Sequence, residues 1–483
     1  MSSIFRKIAI GGFGDPLNHY AHSGAWFKDK LFIGTSRANL QFLKLGQLNV
    51  DISKWPVNDL GLNYTSTFEK NIAAAEIWSL SKLKNDDFSS QRIYQSPYHP
   101  LSTSERPFRS EISYRSMCTY KDGGDDKALF VSTTSRSEGD GPDLLHSKDG
   151  LTFQRLPKPH IGSESGEQDG RPKFTSIRNL VQFDNLLITC VTGGAKGNIN
   201  HSLNSHIYAS NSPELGQWVS INGGGFGAYP ECFCVFSLCV HQGYLYAGTA
   251  GLNGFALFRG TRVAELAFTW ELIVDGGAGR GSLNQGIVAM SSFGDDLYLG
   301  TGIQSGGNDR IHNVGPAAFE VLRMNRTGSI ELLVGCDRSG LHAKSRHAPG
   351  FSNPFNAYLW RMEVHRNYLY VGTLDTSIFS LFTSKDKLTL FGADSLTRSD
   401  LVEWLLSAGG AELWRTNDGE LWEPVTTNGF ENFYNYGIRT LISNGKSLFV
   451  GTANPFGPLI WNNECNQYQP NLLAGTEIIM IDN

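Results

Sequence analysis

One apolar phrase returns along the chain, a run of leucine, aromatic and β-branched residues closed by a small residue and usually threonine. It reads LFIGTS from Leu31, LFVSTT from Leu129, LLITCV from Leu186, LYAGTA from Leu245, LYLGTG from Leu297, LYVGTL from Leu369 and LFVGTA from Leu448. Each copy has the composition of a buried strand that ends in a tight turn. Ahead of it lies another apolar stretch, often carrying arginine: YRSM from Tyr114, IRNL from Ile177, WRMEV from Trp360 and GIRTL from Gly437. A short polar turn such as HQG or HRN joins the two, which predicts a hairpin. Behind the phrase follows a third strand (EIWSL from Glu76, ELWRT from Glu412), then an aromatic-led fourth, opened in three units by Trp218, Trp270 and Trp422. Four strands per unit and seven units predict an all-β fold, a seven-bladed β-propeller.

The chain ends extend this expectation. The tail GTEIIMI from Gly475 supplies a third strand with no fourth behind it. FRKIAIGGFG from Phe5 resembles WVSINGGGFG from Trp218, an outermost strand and its glycine-rich loop, so the N-terminal strand is expected to complete the last blade. Residues 1–483 then form a single domain, with insertions at about 41–71, 81–109, 310–318, 337–352 and 383–407. TRSDLVEWLLSAG within the last of these has the apolar spacing of a short helix.

Composition fits this picture and narrows function. Glycine makes up 54 of 483 residues and charged residues only 18%, which disfavours helical bundles. A net charge of −5 opposes nucleic-acid binding, which needs a concentrated basic surface. No stretch has the length of a membrane-spanning helix and Met1–Ile10 lacks a secretory apolar run, so the expectation is a cytoplasmic protein. The seven cysteines include no C-x-x-C pair, and CFCVFSLCV from Cys232 reads as reduced core. The acidic loops at Asp122 and Ser137 lack EF-hand spacing and read as solvated turns. No cofactor is expected, and a structural calcium is left open.

Loops after the second strands and the crossings between blades share one face beside the centre. Two residues past the Gly-Thr position stand Arg37, Ser135, Thr192, Gly251, Ile303, Asp375 and Asn454, of which only Arg37 and Asp375 are charged. The crossings SNPFNAYLW from Ser352 and NGFENFYNYG from Asn428 are rich in Tyr, Phe and Asn. Such loops can line an aromatic small-molecule pocket with few polar anchors, making Tyr358, Trp360, Tyr434, Tyr436 and Phe456 candidate wall residues. The first-strand residues Arg115, Arg178, Arg361 and Arg439 recur from blade to blade and read as structural pairing.

The phrases YLWRMEV, YLYVGTLD, GGAELWRTNDGELWEPV, NYGIRTL and LFVGTANPF resemble a bacterial propeller family that includes the cylindrocyclophane-forming (CylK-type) Friedel-Crafts alkylating enzymes. The resemblance is strongest from Asn353 to Phe456 and implies an enzyme of secondary metabolism. Such an enzyme displaces halide from a secondary alkyl halide with a resorcinol-type aromatic or a carboxylate nucleophile. It further implies Asp375 as the acceptor of the phenol proton, Arg37 as its cationic partner and Tyr436, chosen over Tyr434, as the hydroxyl near the halide. Tyr434, Tyr358, Trp360, Asn454 and Phe456 are then expected to bind substrate, with no metal. The extra N-terminal calcium-binding region of the best-known members has no counterpart ahead of Phe5. Two other functions compete: a glycan-binding or glycan-cleaving propeller, suggested by the Asp-containing turns SKDGLTF and TNDGELW, and a non-catalytic interaction scaffold.

Overall fold

The computed structural model describes residues 5–37, 57–58, 74–98, 111–135, 141–157, 161, 174–193, 206–223, 225–226, 232–309, 312–338, 340–382, 397–462 and 465–482. Most of the insertion at 41–71, much of 81–109 and residues 383–396 lie outside them. The chain is mostly antiparallel sheet with a propeller-like build. Asn356–His365 pairs with Tyr368–Asp375, which pairs with Leu413–Thr416 and then Glu423–Thr426, and this four-strand pattern recurs along the chain. Successive sheets touch through single bridges between the end of a second strand and the next first strand, as at Ser36↔Ser113, Gly302↔Tyr358 and Leu374↔Gly437. Tyr20↔Ala453 joins the first of these sheets to the last. Phe5–Ala9 lies antiparallel to Ile478–Asp482, with Phe5 opposite Ile481.

The recurring Gly-Thr has a physical cause at each residue. The threonine hydroxyl accepts the backbone N–H that opens the third strand, from Glu76 to Thr35 (2.9 Å), Glu320 to Thr301 (2.8 Å), Glu412 to Thr373 (2.9 Å) and Glu477 to Thr452 (2.8 Å). This satisfies a donor that the ladder leaves over in a buried place. The glycine lies where the next sheet packs flush: a Cβ at Gly372 would stand 2.5 Å from Ile438 Cγ2, and one at Gly451 would stand 2.6 Å from Ala21 Cβ. The core is consequently distributed between neighbouring sheets, as where Leu369, Val371 and Leu359 meet Tyr298 and Trp414.

Two elements differ from the sequence reading. Phe88–Gln95 is a fourth strand inside the segment read as an insertion, paired with Glu76–Lys82. Leu459–Asn462 and Gln467–Pro470 form an additional hairpin that takes up Val57–Asn58, which the repeat did not foretell. The helix expected from TRSDLVEWLLSAG is present at Arg398–Ala408, its first turn closed by a capping box between Thr397 and Asp400. Among the described residues no helix is long and apolar enough to cross a membrane.

Candidate functional site

Every first strand carries at least one extra residue. The register between first and second strands skips at the same depth in each sheet, passing over His22, Arg115, Arg178, Phe236, Val288, Trp360 and Arg439. A β-bulge leaves its residue out of the ladder and re-aims the side chain, and here the bulges turn these side chains towards the centre. Their convergence is visible in the electrostatics. Arg439 feels Arg361, Arg115 and Arg178, and His22 feels all four, although they lie on different sheets.

The bulged residues divide into two groups. Arg439, His22, Arg115 and Arg178 lie within electrostatic reach of one another, while Phe236, Val288 and Trp360 pack together as an apolar group. Trp360 packs against the cluster of Cys234, Phe236, Ala250 and Val288. The two groups stack on each other: the Arg178 guanidinium lies 3.7 Å from the Phe236 ring centroid and that of Arg439 lies 5.1 Å from Trp360. Arg361, next to the Trp360 bulge, donates from Nε to the Arg439 carbonyl (2.7 Å). Burial pulls the pKa values of Arg115, Arg178, Arg361 and Arg439 down, that of Arg361 to about 10, and repulsion from neighbouring arginines adds to it for Arg115, Arg361 and Arg439. Glu363, on the same strand as Arg361, has its carboxyl pushed up to about 7 by burial.

Beside this centre lies an aromatic cluster. Tyr20 and Tyr436 share a hydrogen bond between their hydroxyls. Trp360 meets Tyr20, Tyr358 and Tyr436 edge to face at 5.9, 6.0 and 6.1 Å, and Phe456 meets Tyr434 and Tyr436 at 5.9 and 5.8 Å. Tyr358 accepts the Gly306 N–H at 2.8 Å. Burial raises the pKa values of all three inner tyrosines, that of Tyr20 to about 12, so their hydroxyls keep their protons. The wall residues anticipated from the sequence, Tyr358, Trp360, Tyr434, Tyr436 and Phe456, thus belong to one packed cluster.

The two charged residues anticipated for catalysis stand apart. They occupy equivalent places, Arg37 opposite Asn18 and Asp375 opposite Asn356. Arg37 is engaged by Asp15 (2.7 Å), Asn18 (2.9 Å) and Glu76 (3.6 Å). Asp375 is fully buried, accepts from Asn353 Nδ2 (3.0 Å) and from the N–H (2.8 Å) and hydroxyl of Ser377, and donates its own N–H to the Tyr436 carbonyl (2.7 Å). Burial raises its pKa to about 7 against the pull of the Ser377 donors, with Glu412 adding a smaller push. Asn454 bonds the Leu473 carbonyl (2.6 Å) and takes the His19 carbonyl on its N–H (2.8 Å). Asp375 and Tyr436 are therefore adjacent through the backbone, whereas Arg37 belongs to a separate network.

The first-strand arginines read from the sequence as structural pairing do bond between neighbouring sheets, Arg115 to Ser176 Oγ (2.9 Å), Arg178 to the Phe236 carbonyl (2.7 Å) and Arg361 to the Arg439 carbonyl (2.7 Å), and all four also lie within electrostatic reach of one another. Their direction carries no sequence signal, because a bulge leaves the residue types around the arginine unchanged. Tyr20 and His22 escaped notice because their strand follows the glycine-rich N-terminal loop. The described surface cleft of roughly 330 Å³ lies at the opposite strand ends, lined by His241, Tyr244, Arg259 and Asn325, and touches none of these residues.

No family model matches the chain. No curated protein matches it either. Among solved structures, PorZ, a bacterial surface component of the type-IX secretion system of Porphyromonas gingivalis, is similar at a TM-score of 0.46 and 11% identity, over 96% of this chain and 46% of its own. A puromycin-hydrolysing peptidase of Mycobacterium tuberculosis gives 0.43 and 9% over 96% and 55%, and a GH43 β-1,3-galactosidase gives 0.32 and 11% over 53% and 52%. The chain thus spans about half the length of each of these proteins.

Proposed function

We propose that the chain is a seven-bladed β-propeller closed through the pairing of Phe5–Ala9 with Ile478–Asp482, and that it is an alkylating enzyme. In this reading it joins a resorcinol-type or carboxylate nucleophile to a secondary alkyl halide beside the aromatic cluster. The supporting observation is that Asp375, its carboxyl pushed up to about 7, is bonded through the backbone to Tyr436 within that cluster. A carboxyl that titrates near neutrality is suited to taking a phenol proton.

The reaction then balances as follows. The phenol O–H proton passes to the Asp375 carboxylate, and the ring carbon forms a bond to the halide-bearing carbon. The carbon–halogen bond breaks with its electron pair on the halide. The ring proton is lost as the oxygen regains one, which restores the aromatic phenol, so the products are the alkylated phenol, one halide and the one proton left over. The Tyr20 and Tyr436 hydroxyls, held protonated by burial, supply donors for the departing halide. Arg37, engaged by Asp15, Asn18 and Glu76, holds the frame of the first sheet in this reading and does not touch the phenolate.

The test is halide release and product mass from a 5-alkylresorcinol and a secondary alkyl chloride. Asp375→Asn is expected to lower turnover by about 10²-fold or more, with a smaller loss for Tyr436→Phe. Full turnover in Asp375→Asn, or no product from the wild-type chain above the buffer rate, overturns the reading.

A further inference from the structure

The converging arginines remain unused by the proposed reaction, and they have the makings of a site. Arg439 is only 7% exposed, and its Nε meets no hydrogen-bond partner among the described residues. Neither Arg361 nor Arg439 forms an ion pair there, although both sit among Arg115, Arg178 and each other. Guanidinium groups keep their protons in proteins, so their repulsion is a standing cost of the folded state. An anion at the centre would relieve that cost and satisfy the orphan donor. Trp360, Phe236 and Val288 pack together as an apolar group, with the Arg178 and Arg439 guanidinium groups stacked at its two ends.

We propose that the ring of bulged residues binds an organic oxyanion, a carboxylate or sulfonate head facing Arg439, Arg361, Arg178 and Arg115 with an apolar body against Trp360, Phe236 and Val288. The guanidinium fork matches the paired oxygens of such a head, and its stacking on aromatic faces keeps it oriented before the ligand arrives. The two groups set specificity together, because a head without a body or a body without a head meets only half of the ring. This site shares Trp360 with the aromatic cluster but does not rest on the alkylation reading.

Isothermal titration of the full chain with benzoate and benzenesulfonate tests it, with benzamide as the neutral ring and acetate as the bare head. Both aromatic anions are expected to bind, with benzamide and acetate weaker by about tenfold or more. Arg439→Gln and Arg361→Gln should each weaken benzoate by about tenfold or more, while Arg415→Gln, an arginine paired with Glu423 on the outer strands, leaves it unchanged. Equal binding of benzamide and benzoate overturns the proposal. So does wild-type affinity in both inner variants, or no heat from either anion at millimolar concentration. If one arginine variant does not fold, the other and the ligand series still decide. Asp375→Asn keeps the two readings apart, since it should lower turnover by about 10²-fold or more and leave benzoate binding intact.

Discussion

Replacing Asp375 with asparagine should remove a pH dependence of stability that can be worked out from the site. Burial raises this carboxyl from 3.8 to about 7. At about 1.4 kcal/mol per pKa unit, ionising it in the folded chain costs about 4 kcal/mol more than in the unfolded chain. The sign follows from which state holds the proton. Below the ordinary carboxylate value both states are protonated and the folded state carries no penalty. Between there and about 7 only the unfolded chain ionises, so stability falls as pH rises, and above about 7 the whole penalty is present. Asparagine has no such proton. The stability of wild type minus that of Asp375→Asn should therefore fall by about 4 kcal/mol from about pH 4 to about pH 8. Other buried titrating groups, among them His19, His22 and Glu363, are common to both proteins and largely cancel in the difference. The offset at low pH is a separate quantity: asparagine still accepts from Ser377 but turns an NH₂ towards that of Asn353, at about 1–3 kcal/mol. Urea unfolding of both proteins at a series of pH values measures the difference. A difference that stays constant within about 1 kcal/mol over that range refutes the reasoning.

Gly451→Ala should lower stability by about 2 kcal/mol, because its Cβ would meet Thr440 Oγ1 at 2.2 Å and Ala21 Cβ at 2.6 Å. An unchanged urea midpoint would show that the sheets are not in flush contact there. Thr373→Val keeps the shape of the side chain but removes the acceptor of the Glu412 N–H (2.9 Å), and is expected to shift the midpoint by about 1–2 kcal/mol with an unaltered slope. Deleting residues up to Ala9 bares the edge of Ile478–Asp482, so the shortened chain should self-associate in size-exclusion chromatography; a monomeric profile identical to that of the full chain would contradict this.

The strands were legible because burial on both faces of a second strand leaves a nearly continuous apolar run, as in LYVGTL from Leu369. The helix at Arg398–Ala408 was likewise legible, because the apolar spacing of TRSDLVEWLLSAG is a pattern among neighbours in sequence. The direction of the inner arginines was not legible. A bulge changes which way a side chain points without changing the residue types around it, so Arg115 and Arg439 look the same whether they pair within a sheet or face the centre. The surroundings of Arg37 were not legible for a different reason: Asp15 and Glu76, which engage it, come from a preceding loop and a later strand whose approach only the folded chain reveals. The aromatic cluster was easier, because its members come from two crossings with the same composition.

The pairing of Phe5 with Ile481 also orders events in time. During synthesis Phe5–Ala9 emerges long before Ile478–Asp482 and waits, without its partner, until the residues between them have been made. The entropy of closing so long a loop grows only with the logarithm of its length, so once the intervening sheets have formed the closure is not prohibitive. Until then the apolar segment Ile478–Asp482 lies with one edge uncovered. The last sheet therefore acts as a latch on folding, and the interval before it engages is when a chain of this kind is most open to chaperones, proteases or pairing with a second copy.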